Sequence, residues 1–170
     1  MGIAEFRSDM QILSWREIDF GAVVLSGLVG GYAMALAGLW AGKIPGFVAF
    51  DIADFGRRYM VSDRPSAWFF GMASHLANSV AFVLVFACFI VPSFQQANSP
   101  HSAGLLAMGW SLFLATGLAG SLVSPLAGLG FMGRRGGIRF AATNILVHIV
   151  WGLVIWFIYV PTVPQLWQGH

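Results

Sequence analysis

Two histidines, His75 and His148, are the residues of this chain best placed to do chemistry. Each lies well inside a long apolar stretch without Asp, Glu, Lys or Arg, and each follows the same tripeptide, Gly56-Arg57-Arg58 or Gly133-Arg134-Arg135. An imidazole in hydrocarbon is costly without a partner, so an ionisable side chain in such a position marks a candidate functional site. Different chemistries compete for the pair. Two imidazoles projecting inward from different helices can ligate the iron of one haem b from its two sides. They can equally belong to a His and Asn hydrogen-bond network, since Asn78 and Ser79 follow His75 by three and four residues and Asn144 precedes His148 by four. A proton, metal or small-solute path is a further use of the same residues, although it calls for more ionisable groups than these stretches contain.

The elements that must position these histidines follow from the distribution of charge. No charged residue occurs in 65–133 or 140–170, and only 9% of the chain is charged, against about a quarter in a soluble domain. Stretches at about 20–42, 66–91, 103–123 and 140–160 are long enough, at roughly 1.5 Å per residue, to cross a hydrocarbon core of about 30 Å. Continuous apolar runs bounded by Pro or Gly read as helices and not as barrel strands, and a helix satisfies its own backbone in lipid. The expectation is therefore an all-α membrane protein, a bundle of four transmembrane helices forming a single integral membrane domain over 1–170.

Lys43, Arg57, Arg58 and Arg64 lie between spans 1 and 2, and Arg134, Arg135 and Arg139 between spans 3 and 4. The other side has only Arg7 and Arg16, offset by Glu5, Asp9, Glu17 and Asp19. That asymmetry puts the loops 43–64 and 124–139 in the cytoplasm and both termini outside. These arginines flank membrane helices without forming a patterned patch, so the partner they imply is the lipid bilayer and no nucleic acid. Residues 1–19 lack the basic start, apolar centre and cleavage site of a signal peptide, so the mature chain is expected to begin there. Cys88 is the sole cysteine, which excludes intrachain disulfides.

His75 is eleven residues after Arg64 and His148 nine after Arg139, which places both about 15 Å into the membrane. In a bundle of sequential neighbours their helices, the second and fourth, are diagonal. Span 1 carries Gly27-x-x-x-Gly31, continued by Ala35 and Gly38, and span 3 carries Gly109, Thr116, Gly117, Gly120, Ser121 and Ser124, strips that allow close helix packing. Each half has a small-residue helix, a Gly-Arg-Arg loop, a histidine-bearing helix and a Val-Pro end at Pro92 or Pro161, the parts of a duplicated two-helix hairpin. Short interfacial helices are expected near the N-terminus, around Ile12, Leu13 and Trp15, and in the loop between spans 1 and 2, where Asp54 and Arg58 are spaced to pair. Asp51 and Asp54 could instead ligate a metal, but solvated ion pairing explains them more simply. Trp40 and Trp68 on one side, Tyr159 and Trp167 on the other, read as aromatic belts. His101 and His170 read as exposed and without a role.

No nucleophile-base-acid set, phosphate loop or metal-ligand spacing is present, and Ser66, Ser74 and Ser124 have no acidic partner in the spans, which argues against an enzyme acting alone. A histidine on the second and fourth helices, with Gly31 and Gly117 on the helices between at about the right level for a flat macrocycle, resembles membrane b-type cytochromes in architecture. The resemblance implies His75 and His148 as axial ligands of at most one haem, with Arg57, Arg58 and Arg134 able to meet its propionates. The Gly-rich first helix with Met34, the loop Asp51-Ile52-Ala53-Asp54-Phe55-Gly56, the turn Pro125-Leu126-Ala127-Gly128-Leu129-Gly130-Phe131-Met132-Gly133 and the run His148-Ile149-Val150-Trp151-Gly152 resemble a group of small uncharacterised prokaryotic four-helix membrane proteins. That likeness implies the same fold and a place in the prokaryotic cytoplasmic membrane, and no activity. The short outer loops and small-residue faces make a non-catalytic subunit or accessory component of a larger membrane complex, with other membrane subunits as partners, the leading expectation. A single-haem electron-transfer protein is the alternative, and transport a further one.

Overall fold

A computed structural model of the chain describes residues 18–54, 64–94 and 99–162. Its frame is four long helices: α1 (Phe20–Ala41), α2 (Ser66–Ser93), α3 (Pro100–Leu126) and α4 (Ile138–Thr162), with mean hydropathies of 1.6 to 2.1. Each is long and apolar enough to span a bilayer, and the chain is a multi-pass membrane protein of the all-α, four-helix-bundle class.

Local chemistry sets the helix ends. The Asp19 carboxylate accepts from the Ala22 amide at 2.9 Å and caps α1. Ser99 and Ser102 form a reciprocal capping box at the start of α3, with Pro100 in the first turn, where its missing N–H costs nothing. Near their far ends α2, α3 and α4 each change winding, from α to π over Phe86–Ile90, Leu114–Val123 and Ile155–Tyr159. In every case a proline follows within two residues, at Pro92, Pro125 and Pro161. A proline ring presses on the carbonyl four residues back and offers no N–H, so the preceding turn widens. α1 has no internal proline and stays α-helical throughout.

α1 packs antiparallel on both α2 and α4, α4 packs antiparallel on α3, and α2 meets α3 over a much smaller contact. Glycines on α1 set the first of these distances: a Cβ at Gly27 would sit 2.5 Å from the Val80 Cα, and one at Gly31 would sit 2.8 Å from Leu76 Cδ2. Trp151 of α4 covers Gly30 from the other side. Between α3 and α4 a left-handed turn with Gly128, Gly130, Met132, Gly133 and Gly137 at positive φ reverses the chain. Met132 is the non-glycine among them, and its sulfur packs on Gly120.

The connection after α1 folds back beneath the bundle at the end bearing the basic loops. The Phe50 amide donates to the Gly38 carbonyl at 2.9 Å, and the Val48 amide donates to Thr143 Oγ1 of α4 at 3.0 Å. Asp51 accepts from the amides of Ala53 and Asp54 and, through its other oxygen, from the Trp68 indole at 3.0 Å. Asp51 thus caps a helical turn at 52–54 and ties it to α2, whereas the sequence suggested ion pairing in solvent. The Asp54 and Arg58 pairing and the interfacial helix near the N-terminus lie outside the described residues. Tyr159 departs from its expected belt position. It is 1% exposed and packs edge-on to Phe86 with ring centroids 6.2 Å apart, because its side chain falls on the α4 face turned inward.

Candidate functional site

Antiparallel packing of α1 on α2 matches two i, i+4 pairs. His75 Nε2–H donates to the Gly31 carbonyl at 3.0 Å, and Ser79 Oγ–H donates to the Gly27 carbonyl at 2.6 Å. Both carbonyls already accept an intrahelical amide, and the second lone pair is reachable because no side chain stands over a glycine. Ser79 Oγ then accepts from the Trp151 indole of α4 at 2.7 Å, so one hydroxyl joins three helices.

The second histidine is held within its own helix. His148 Nδ1–H donates to the Asn144 carbonyl at 2.8 Å, the Asn144 amide donates across to the Ala115 carbonyl of α3 at 2.9 Å, and Ser111 Oγ donates to the His148 carbonyl. Asn144 and His148 are both buried, at 8% and 9% exposure. The sequence anticipated hydrogen bonding between the imidazoles and neighbouring amide side chains. The structure shows each ring bonded instead to a backbone carbonyl.

His75 and His148 line one cavity of about 180 Å³, together with Ser74, Asn78, Ser79, Asn144 and Trp151 and apolar groups from all four helices. Its floor at the basic end is Phe50, Ile52 and Phe140, the two phenyl rings meeting edge-on at 5.3 Å. Toward the opposite end the Trp110 indole of α3 donates to the Phe82 carbonyl of α2 at 3.2 Å and closes the gap between those helices. A neutral imidazole has one N–H and one lone pair. With Nε2–H of His75 and Nδ1–H of His148 committed to carbonyls, the other ring nitrogens, His75 Nδ1 and His148 Nε2, keep their lone pairs on two residues that line the cavity. Asn78 lines the same cavity but is exposed on the bundle surface, so it stands at the mouth.

The other residues singled out from sequence are scattered. Gly27, Gly31 and Gly120 are sites of close packing between elements, whereas the nearest atoms to a Cβ at Gly117 belong to Phe113 of its own helix. Arg135 Nη1 donates to the Gly128 carbonyl at 3.0 Å and braces the turn; Arg134 is exposed, and neither lines the cavity. Arg57 and Arg58 lie outside the described residues. Trp151, Ser111 and Thr143 were not anticipated. Their signal was available in the spacing, since Trp151 and His148, three apart, must share a helix face.

The residue types suit haem iron, but as arranged here both imidazoles already donate to backbone carbonyls. A void of 180 Å³ is below the roughly 300–1,000 Å³ of pockets for drug-sized ligands, and His75 turns its Nε2 away to Gly31. Among the described residues no cluster of three or more His, Cys, Asp or Glu could hold a metal ion. No protein-family model, curated protein or solved structure matches the chain.

Proposed function

We propose that this chain is a non-catalytic subunit or accessory component of a larger assembly in a prokaryotic cytoplasmic membrane, with its two basic connections cytoplasmic and both ends of the bundle sequence outside. The observation that carries the reading is unequal burial. Half of the most apolar window of α1 is buried within the bundle but only 28% of that of α3. On α3 the residues Leu105, Gly109, Leu112 and Thr116 form an exposed line at helical spacing, and nothing lies within 4 Å of a Cβ placed on Gly109. A helix with an open glycine on its outer face is suited to receive another helix, because packing in lipid depends on close approach of backbones.

Purification from native membranes in mild detergent is expected to recover the chain with other polypeptides. A monodisperse particle of this chain alone, at native expression, would count against the proposal. For orientation, cysteines introduced at Ser62 and Asn98 are expected to label from opposite sides, Asn98 from outside; the reverse pattern would overturn the assignment made from the basic residues.

A further inference from the structure

The cavity behind the α2–α3 seam has the features of a binding site, and these stand apart from the subunit reading, which rests on the opposite face of α3. His148 is nine-tenths buried and its Nε2 lone pair has no partner among the described residues. It is not sealed in protein. Ser26 Oγ is the fully buried side-chain polar atom left unpaired among the described residues, whereas the imidazole borders open space. With Nδ1–H fixed on the Asn144 carbonyl, what the cavity presents at its inner wall is an acceptor, so a complementary occupant brings a donor.

The size and walls narrow the class further. At about 180 Å³ the space is close to the roughly 150 Å³ that holds one benzene ring. Phe82, Leu114, Leu118 and Trp151 supply apolar and aromatic walls for such a ring. Entry from either end is obstructed, by Phe50 against Phe140 and by Trp110 bonded to Phe82. Among the described residues the remaining approach is sideways between α2 and α3, past Asn78, at the depth of the hydrocarbon. The geometry points to a binding site for a bilayer-dissolved hydroxyaromatic: a single six-membered ring whose phenolic O–H donates to His148 Nε2, with an apolar tail leaving through the seam.

The test uses the full chain in nanodiscs and a decyl-substituted 1,4-hydroquinone kept reduced, with protein-free nanodiscs to subtract partitioning into lipid. Saturable retention of one molecule per chain is expected. The dimethyl ether of the same compound, which keeps the ring and the tail but carries O–CH3 in place of each O–H donor, is expected to bind about tenfold or more weakly, because it leaves the buried acceptor unpaired. His148→Phe should weaken retention by a similar factor. Since that variant also alters core packing, Ala119→Phe, which fills the cavity from α3, provides a second, and it should abolish saturable binding while thermal unfolding is unchanged. Retention no greater than in empty nanodiscs, equal binding of hydroquinone and ether, or undiminished binding to Ala119→Phe would each overturn the proposal; the first leaves at most a water-filled cavity, and the second an apolar cavity that takes the ring without the imidazole. Hydroquinone without a tail, added from water, distinguishes the source: weak binding is expected, and binding as tight as that of the decyl compound would overturn the bilayer route.

Discussion

The hairpins α1–α2 and α3–α4 use similar parts in different arrangements. In the first, the small residues are concentrated on one helix and the polar donors on the other: Gly27 and Gly31 of α1 offer carbonyls, and Ser79 and His75 of α2 take them. In the second, donors run both ways, Ser111 of α3 to the His148 carbonyl and Asn144 of α4 to the Ala115 carbonyl, and the close-packing glycines are divided between Gly104 on α3 and Gly152 on α4. The first hairpin thereby makes α1 the most deeply packed span, and the second leaves much of α3 facing outward. Both hairpins carry a five-residue π segment before a proline, at Pro92 and at Pro161, but the two halves do different work. α1 organises the bundle, while α3 is available to what surrounds it.

The largest effect is expected where that difference is greatest. At Gly27 a new Cβ meets the Val80 backbone at 2.5 Å, which a rotamer change cannot relieve. Gly27→Leu should force α1 and α2 apart and cost more than about 3 kcal/mol, beyond ordinary overpacking. Yield of folded protein and the midpoint of unfolding in denaturing detergent measure it; a variant as stable as the parent would show that α1 does not hold the bundle.

Ser79→Ala tests the junction itself. It removes the bond to Gly27 and strands the Trp151 indole N–H in an apolar interior. A loss of about 1–2 kcal/mol is expected, the upper part of the range for interhelical hydrogen bonds in membranes, and Trp151→Phe combined with it should cost much less than the two changes added. Full additivity would mean that the indole and hydroxyl act independently.

The spans themselves were legible because charge is absent from them, and their observed limits fall within three residues of the sequence expectation. The histidines, Ser79 and Asn144 were legible for the converse reason: polar groups inside apolar runs stand out. What could not be read was where each donor would go. Every residue of a helix carries a carbonyl, and whether its second lone pair can be reached depends on the crossing of the neighbouring helix. The fold-back of Phe50 onto Gly38 and Phe140 was hidden similarly, since a Phe beside Asp51 at a membrane boundary reads as an interfacial residue until α4 is seen beneath it. The π segments had a visible cause in Pro92, Pro125 and Pro161, but a proline can also kink or end a helix, and packing decides among these outcomes.

A smaller effect concerns the fold-back. Asp51 caps the turn at 52–54 and holds the Trp68 indole, so Asp51→Ala removes three acceptor contacts at a surface site. An exposed cap is worth about 1 kcal/mol, and the loss should be seen chiefly as faster hydrogen exchange in 48–54 with little change in global unfolding. Unchanged exchange there would show that Phe50 and Thr143 alone secure the segment.

The smallest expected effect on the isolated chain is at Gly109, and it separates the two kinds of glycine most sharply. Gly27 opens a Gly-x-x-x-Gly pair while Gly109 has Leu105, Leu106, Leu112 and Phe113 as its helical neighbours, and a Cβ at Gly27 strikes backbone whereas one at Gly109 meets nothing within 4 Å. Leucine has the higher helix propensity by several tenths of a kcal/mol in water, so Gly109→Leu should leave the purified chain as stable as the parent or slightly more so. If α3 receives a partner helix at this line, the same substitution should nevertheless reduce recovery of the co-purifying polypeptides from native membranes, because the added side chain keeps the backbones apart. Stability retained with association lost would assign Gly109 to the outer contact. Stability and association both retained would remove α3 from the proposed interface, and a loss of stability in the isolated chain would mean that the second hairpin is packed more like the first than its exposed face indicates.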